Sequence, residues 1–64
     1  MAERLSKRVF DGCKTLTRQV CVEMLEGIGQ EIDHYASQEQ MQMYVYSACI
    51  TGDLHPRDIL GSAY

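Results

Sequence analysis

The stretch SQEQMQMYVYSACITG, residues 37–52, holds many apolar side chains and neither lysine nor arginine. Its first four residues match a capping box, because the Ser37 hydroxyl can accept a hydrogen bond from the backbone N–H of Gln40 while the Gln40 side chain reaches back to Ser37. Gly52 suits the left-handed conformation that commonly ends a helix. These two end signals favour a helix over residues 37–51. They outweigh the alternative, a strand with apolar residues at every second position.

The predicted helix has apolar residues on two sides. One stripe consists of Met41, Tyr44, Val45, Ala48 and Cys49, and a second stripe consists of Met43, Tyr46 and Ile50. A single neighbouring helix covers only one stripe, and a helix that is apolar on two sides is usually buried on two sides. We interpret the first stripe as core. We predict that the second stripe is a surface for another copy of the chain or for a different protein.

The N-terminal segment separates apolar from charged residues at about 100° per residue. One face carries Leu5, Val9, Cys13, Leu16, Val20 and Met24, and the opposite face carries Arg4, Lys7, Arg8, Asp11, Lys14 and Arg18. This separation predicts one amphipathic helix over residues 2–26. The β-branched residues of the segment leave a strand over 15–25 as the alternative. An elbow at 27–29 follows, where Gly27 is the expected left-handed cap. The alternative is a weak point in a longer helix, since residues 30–35 keep a helical spacing.

The remaining signals complete the fold prediction. Pro56 suits the first position of a short helix over residues 56–60, with Asp53 or His55 as its cap and Gly61 at its end. The sequence therefore predicts a single small all-α domain over residues 1–64, a helical hairpin of two main helices plus a short C-terminal helix. A chain of 64 residues buries only about 60% of the surface exposed when it is unfolded. Oligomerisation often stabilises such small domains, and we predict a homodimer.

Catalytic, metal and cofactor chemistry find little support in the sequence. Three cysteines and two histidines are present, but none has the close spacing of a zinc-ligand pair, and no glycine-rich phosphate loop occurs. We predict no enzyme activity, no metal and no cofactor. The start of the chain is polar, and no apolar run reaches the roughly 20 residues of a membrane span. We therefore expect a cytoplasmic protein, without a membrane partner, whose cysteines are reduced and structural.

The charges are unevenly distributed along the chain. Residues 1–18 contain five basic and two acidic residues, whereas residues 19–64 contain one basic and seven acidic residues. The basic face, Arg4, Lys7, Arg8, Lys14 and Arg18, can meet an acidic protein surface or the phosphates of a nucleic acid.

We predict a protein-binding adaptor or modulator, such as a regulator or inhibitor of its partner. The first alternative is a small DNA-associated transcriptional regulator, although helix 37–51 lacks the basic residues of a usual recognition helix. The second alternative is a structural subunit of a larger assembly.

Overall fold

The computed structural model describes residues 2–35 and 37–61, and the side chains of residues 5–33, 35 and 37–61. Within these ranges the chain is all-α and has no strand, which confirms the predicted fold class. The helices are α1 (Ala2–Cys13), α2 (Arg18–Gly27), α3 (Gln38–Thr51) and α4 (Pro56–Leu60), with a 3-10 turn at Ile32–His34. α3 packs against both α1 and α2, and α4 packs against α1.

The continuous helix predicted over residues 2–26 does not form, because the chain leaves the helix between Cys13 and Arg18. The Thr15 hydroxyl donates to the Gly12 carbonyl oxygen at 2.7 Å. Thr17 is extended, and its hydroxyl accepts from the backbone N–H of Val20 at 3.3 Å as the N-cap of α2. Threonine side chains bond readily to nearby backbone groups and so favour caps over helix interiors. Residues 14–17 therefore connect two helices.

This connection changes which residues of α2 face the core. Periodicity from α1 predicts that Val20 and Met24 continue the buried face, yet both are only partly buried. Cys21 and Leu25 are the fully buried residues of α2. The predicted apolar face is therefore correct as far as Cys13, and it is displaced by one residue in α2 because the four-residue connection resets the helical register.

Both ends of α3 have the caps that the sequence suggests. The Ser37 hydroxyl accepts from the backbone N–H of Gln40 at 3.1 Å. Gly52 adopts the left-handed conformation with φ at 92°. The N–H of Leu54 donates to the Ala48 carbonyl oxygen at 3.1 Å, which satisfies a carbonyl group left open at the helix end.

The core forms where α1, α2 and α3 meet. It consists of the buried residues Val9, Cys13, Cys21, Leu25, Tyr35, Met41 and Val45. Ala48 of the first stripe is also buried, whereas Cys49 is only partly buried. Tyr44, which we assigned to the core, is 46% exposed. The exposed Tyr44 ring lies against the ring of the buried Tyr35, with the two ring centroids 4.4 Å apart.

The elbow after α2 lies within the predicted residues 27–29, but its left-handed glycine is two residues later than predicted. Gly27 is the last residue of α2, and the positive φ of 85° occurs at Gly29. The N–H of Gln30 donates to the Leu25 carbonyl oxygen at 2.9 Å. Of the helical spacing predicted over residues 30–35, only the turn Ile32–His34 is helical.

α4 lies on α1 at the one glycine within that helix. The Pro56–Leu60 helix begins at a His55 cap, whose Nδ1 accepts from the N–H of Arg57 at 3.0 Å. A Cβ atom on Gly12 would lie 2.9 Å from Cγ2 of Ile59. Gly12 is unfavourable for helix propensity, but its missing side chain allows α4 to approach α1.

Candidate protein-interaction groove

The second stripe of α3 lies beside a crevice between α3 and α1. Met43 and Ile50 are 50% and 63% exposed, so two of the three apolar side chains of the second stripe face solvent. Tyr46 is partly buried, and its ring packs edge-on against Phe10 with the centroids 5.1 Å apart. Two residues of the predicted surface are thus exposed, and the third packs against an aromatic residue of α1 that the sequence pattern did not identify.

Two depressions flank this ring pair. The larger has a volume of about 220 Å³ and is lined by Phe10, Cys13, Lys14, Glu39, Gln42 and Met43. The smaller has a volume of about 80 Å³ and is lined by Leu5, Ser6, Val9, Tyr46, Cys49, Ile50 and Pro56. Phe10 belongs to one depression and Tyr46 to the other, so the ring pair separates them. We refer to the two depressions and the ring pair together as the α1–α3 groove.

One cation and one anion border the larger depression. The Nζ atom of Lys14 lies 4.3 Å from the centroid of the Phe10 ring, a distance at which the ring attracts the ammonium group. Glu39, in the first turn of α3, lines the same depression from the other helix, and both charged residues are solvent exposed. The groove therefore combines apolar walls with a pair of opposite charges at one end.

The backbone beside Lys14 is held in place by side chains of α3. The Gln42 side-chain amide donates to the Leu16 carbonyl oxygen at 2.9 Å and to the Lys14 carbonyl oxygen at 3.3 Å. The Gln38 side-chain amide also donates to Leu16, at 2.9 Å. These bonds satisfy backbone carbonyl groups of the connection at residues 14–17. They join residues 22 to 28 positions apart, so no local pattern in the sequence indicates them.

The predicted basic face is divided between two helices. Lys7, Arg8, Lys14 and Arg18 are exposed. Lys7 and Arg8 lie on α1 and Lys14 follows its last residue, whereas Arg18 begins α2. The side chain of Arg4 lies outside the described residues. Because the connection at 14–17 separates Arg18 from α1, these cations do not form the single helical row that the sequence predicts.

The thiols are in an environment that keeps them protonated. Burial raises the pKa of Cys13 to about 12, and the nearby Cys49 and Cys21 thiols raise it further. Burial also raises the pKa of Cys21 and of Cys49, and Asp58 adds to the effect at Cys49. Since the thiolate is the nucleophile and the metal ligand, thiols with raised pKa values are poorly reactive. Among the described residues, no three or more His, Cys, Asp or Glu residues are placed to hold a metal ion.

A third depression lies on the other side of α3, next to Tyr44 and Leu25, and has a volume of about 150 Å³. Nearby, the hydroxyl of the buried Tyr35 donates to Oε1 of Gln30 at 3.0 Å. Burial, with Tyr44 alongside, raises the pKa of Tyr35. All three depressions are smaller than the roughly 300 Å³ at which small-molecule sites typically begin.

No protein-family model, curated protein or solved structure matches this chain. In the part of the chain that the structure describes, no helix has both the length and the apolar character needed to cross a lipid bilayer.

Proposed function

We propose that this protein is a non-enzymatic adaptor or modulator that alters the activity of a partner protein, and that binding this partner requires the α1–α3 groove to be occupied by another polypeptide chain. The observation that carries the proposal is the exposure of Met43 and Ile50, at 50% and 63%, on either side of the Phe10–Tyr46 ring pair. Exposed apolar side chains that line a groove with charged residues at its rim are typical of interaction sites.

The chemistry of the groove residues supports protein binding. Methionine is flexible and polarizable, so Met43 can adapt to an irregular partner surface. Aromatic residues such as Tyr46 are enriched at protein interfaces. Catalysis is less well supported, because the described cysteines have raised pKa values and the depressions are small.

The exposure of Lys7, Arg8, Lys14 and Arg18 favours a second candidate function, a DNA-associated regulator that contacts phosphates. It ranks lower because α3 has no lysine or arginine with which to read base edges. A structural subunit of a larger assembly, with the groove permanently covered, is the third candidate.

Affinity capture from native cell extract, with and without nuclease treatment, tests the proposal. The parent chain is compared with the variant Met43→Glu/Ile50→Glu. The matched control is Gln19→Glu/Ser47→Glu, which adds the same charge at two exposed positions outside the groove. We expect the parent and the control to retain a stoichiometric protein partner and the groove variant to lose it, with equal helicity by circular dichroism. Equal capture by the groove variant, or capture that depends on nucleic acid, contradicts the proposal.

A further inference from the structure

We infer that the occupant of the α1–α3 groove is α3 of a second copy of this chain, so that the working unit is a two-fold symmetric dimer. The inference rests on the proposed function, since it identifies the polypeptide that the groove accepts. The adaptor then meets its partner protein as a dimer. Two observations carry the inference: the spacing of side chains along α3, and the pair of opposite charges at the larger depression.

The groove side of α3 has the spacing of a coiled-coil seam. Glu39, Met43, Tyr46 and Ile50 follow one another at steps of four, three and four residues, and each of them lines the groove. These steps place the four side chains on one face of α3, the spacing with which a helix face packs against another helix. Met43 and Ile50 are two turns apart, about 10.5 Å at 1.5 Å per residue. They line the larger and the smaller depression respectively, so each groove can receive a helix with the same repeat, and α3 is such a helix.

The charges favour a second copy with α3 parallel to its counterpart. Lys14 and Glu39 come from different segments and border the same depression. A two-fold axis parallel to α3 brings the larger depressions of the two chains together. Because a two-fold interface is self-complementary, Lys14 of each chain then faces Glu39 of the other. The dimer thus has two reciprocal Lys14–Glu39 ion pairs at the edge of the groove. The apolar side chains of Met43, Tyr46 and Ile50 are buried between the two chains.

Charge reversal with mixing tests this arrangement by sedimentation equilibrium. The parent chain is expected to be dimeric at micromolar concentration. Lys14→Glu and Glu39→Lys each create two like-charge contacts per dimer, so each alone should raise the dimer Kd about tenfold or more. An equimolar mixture of the two variants should recover near-parental affinity, because both contacts in the heterodimer again join opposite charges. A pairing of Lys14 with Glu39 inside one chain predicts no recovery on mixing.

Matched controls place the same charge changes outside the groove. Arg57→Glu and Glu23→Lys change exposed positions on α4 and α2, and neither variant should change the dimer Kd appreciably. Circular dichroism verifies that all variants keep their helicity. A fully helical parent chain that stays monomeric, or single variants that do not recover on mixing, overturns the inference.

The two proposals fail in different ways. If the parent is monomeric but Met43→Glu/Ile50→Glu still loses the captured protein, the dimer is wrong and the adaptor function stands. If the charge variants behave as expected but no protein partner is captured, the dimer stands and the adaptor function is wrong.

Discussion

Gly12 shows how one residue serves tertiary packing at the expense of local propensity. A methyl group at this position would lie 2.9 Å from Cγ2 of Ile59 and 3.3 Å from Cδ2 of Leu60. The nearer atom belongs to a β-branched side chain with a restricted χ1 angle, so it has little freedom to move away. Glycine within α1 is therefore favourable in the folded protein, although alanine would be favourable in an isolated helix.

Gly12→Ala is expected to lower the free energy of unfolding by about 1 kcal/mol or more, because overpacking costs more than the gain in helix propensity. The control is Gly27→Ala, where an added Cβ meets no atom within 4 Å. That variant should be neutral or more stable by up to about 1 kcal/mol. Urea unfolding followed by circular dichroism measures both. Equal stabilisation by the two substitutions would show that α4 does not restrict Gly12.

The buried thiols predict how stability depends on pH at the alkaline end. The pKa of Cys13 is about 12 in the folded chain, against an ordinary value of 9.0. Because the folded pKa is raised, Cys13 does not change the free energy of unfolding below pH 9.0 and lowers it as the unfolded chain ionises above that pH. The expected slope for Cys13 is about 1.4 kcal/mol per pH unit, until the folded thiol also ionises near pH 12.

Cys13→Ala should make this alkaline loss less steep, even if the variant is less stable at neutral pH. Urea unfolding at a series of pH values above and below 9.0 measures the slope for both proteins. An unchanged slope in the Cys13→Ala variant would contradict the raised pKa of Cys13.

The partly buried Cys49 should react first with a neutral alkylating reagent in the folded state, because access and thiolate fraction limit the reaction.

At the scale of the elements, the connection between α1 and α2 depends on α3. Thr17 caps α2, but a cap alone contributes only about 1 kcal/mol. The Gln42 amide bonds to two carbonyl oxygens of the connection and so fixes the angle between the helices. The position of Lys14 at the groove is consequently set by a side chain of α3 as well as by α1.

Gln42→Glu should destabilise the fold by about 1–2 kcal/mol at neutral pH, since a carboxylate cannot donate and would face the two carbonyl oxygens. Lowering the pH should recover part of the loss, because a protonated carboxyl can donate one hydrogen bond. The control Gln19→Glu makes the same change at an exposed position in the first turn of α2, where a negative charge is favourable. Thermal unfolding at two pH values compares them, and equal Tm shifts would refute the role of Gln42.

At the scale of the whole molecule, the distribution of charge leads to different salt dependences for the two leading functions, the protein-binding adaptor and the DNA-associated regulator. Four exposed cations, Lys7, Arg8, Lys14 and Arg18, lie within the first 18 residues, whereas residues 19–64 carry seven acidic residues and one basic residue. If the partner has an acidic surface, these cations should steer the association, and salt should mainly slow it. Binding to a duplex would instead be governed by the number of phosphates contacted.

Duplex binding at low and at physiological salt tests this ranking. If Arg4, Lys7, Arg8, Lys14 and Arg18 all contact phosphates, the slope of log affinity against log salt is about −4 to −5 per chain. We expect weak binding that the variant Arg4→Ser/Arg8→Ser/Arg18→Ser barely alters. Tight binding with the steep slope, lost in that variant, would promote the DNA-associated function over the adaptor.

The candidate site is only partly visible in the sequence. The two-sided apolar pattern of α3 identifies Met43 and Ile50, because a helix repeats its faces with a fixed period. It does not identify Phe10, which lies beside Val9 of the buried face and becomes part of the site only when α1 packs next to Tyr46. The proximity of Lys14 and Glu39 likewise depends on how the two helices are placed.

The sequence by itself determined the features that arise within a few neighbouring residues. The Ser37 cap, the left-handed Gly52 and the proline at the start of α4 are such features, and helical periodicity identified Met41 and Val45 as core. Only the tertiary structure decided the break at residues 14–17, the burial of Cys21 and Leu25, the contact of Gly12 with α4 and the α1–α3 groove. Each of these depends on contacts between residues distant in the sequence, and their packing and hydrogen bonds outweigh the smaller preferences of the local chain.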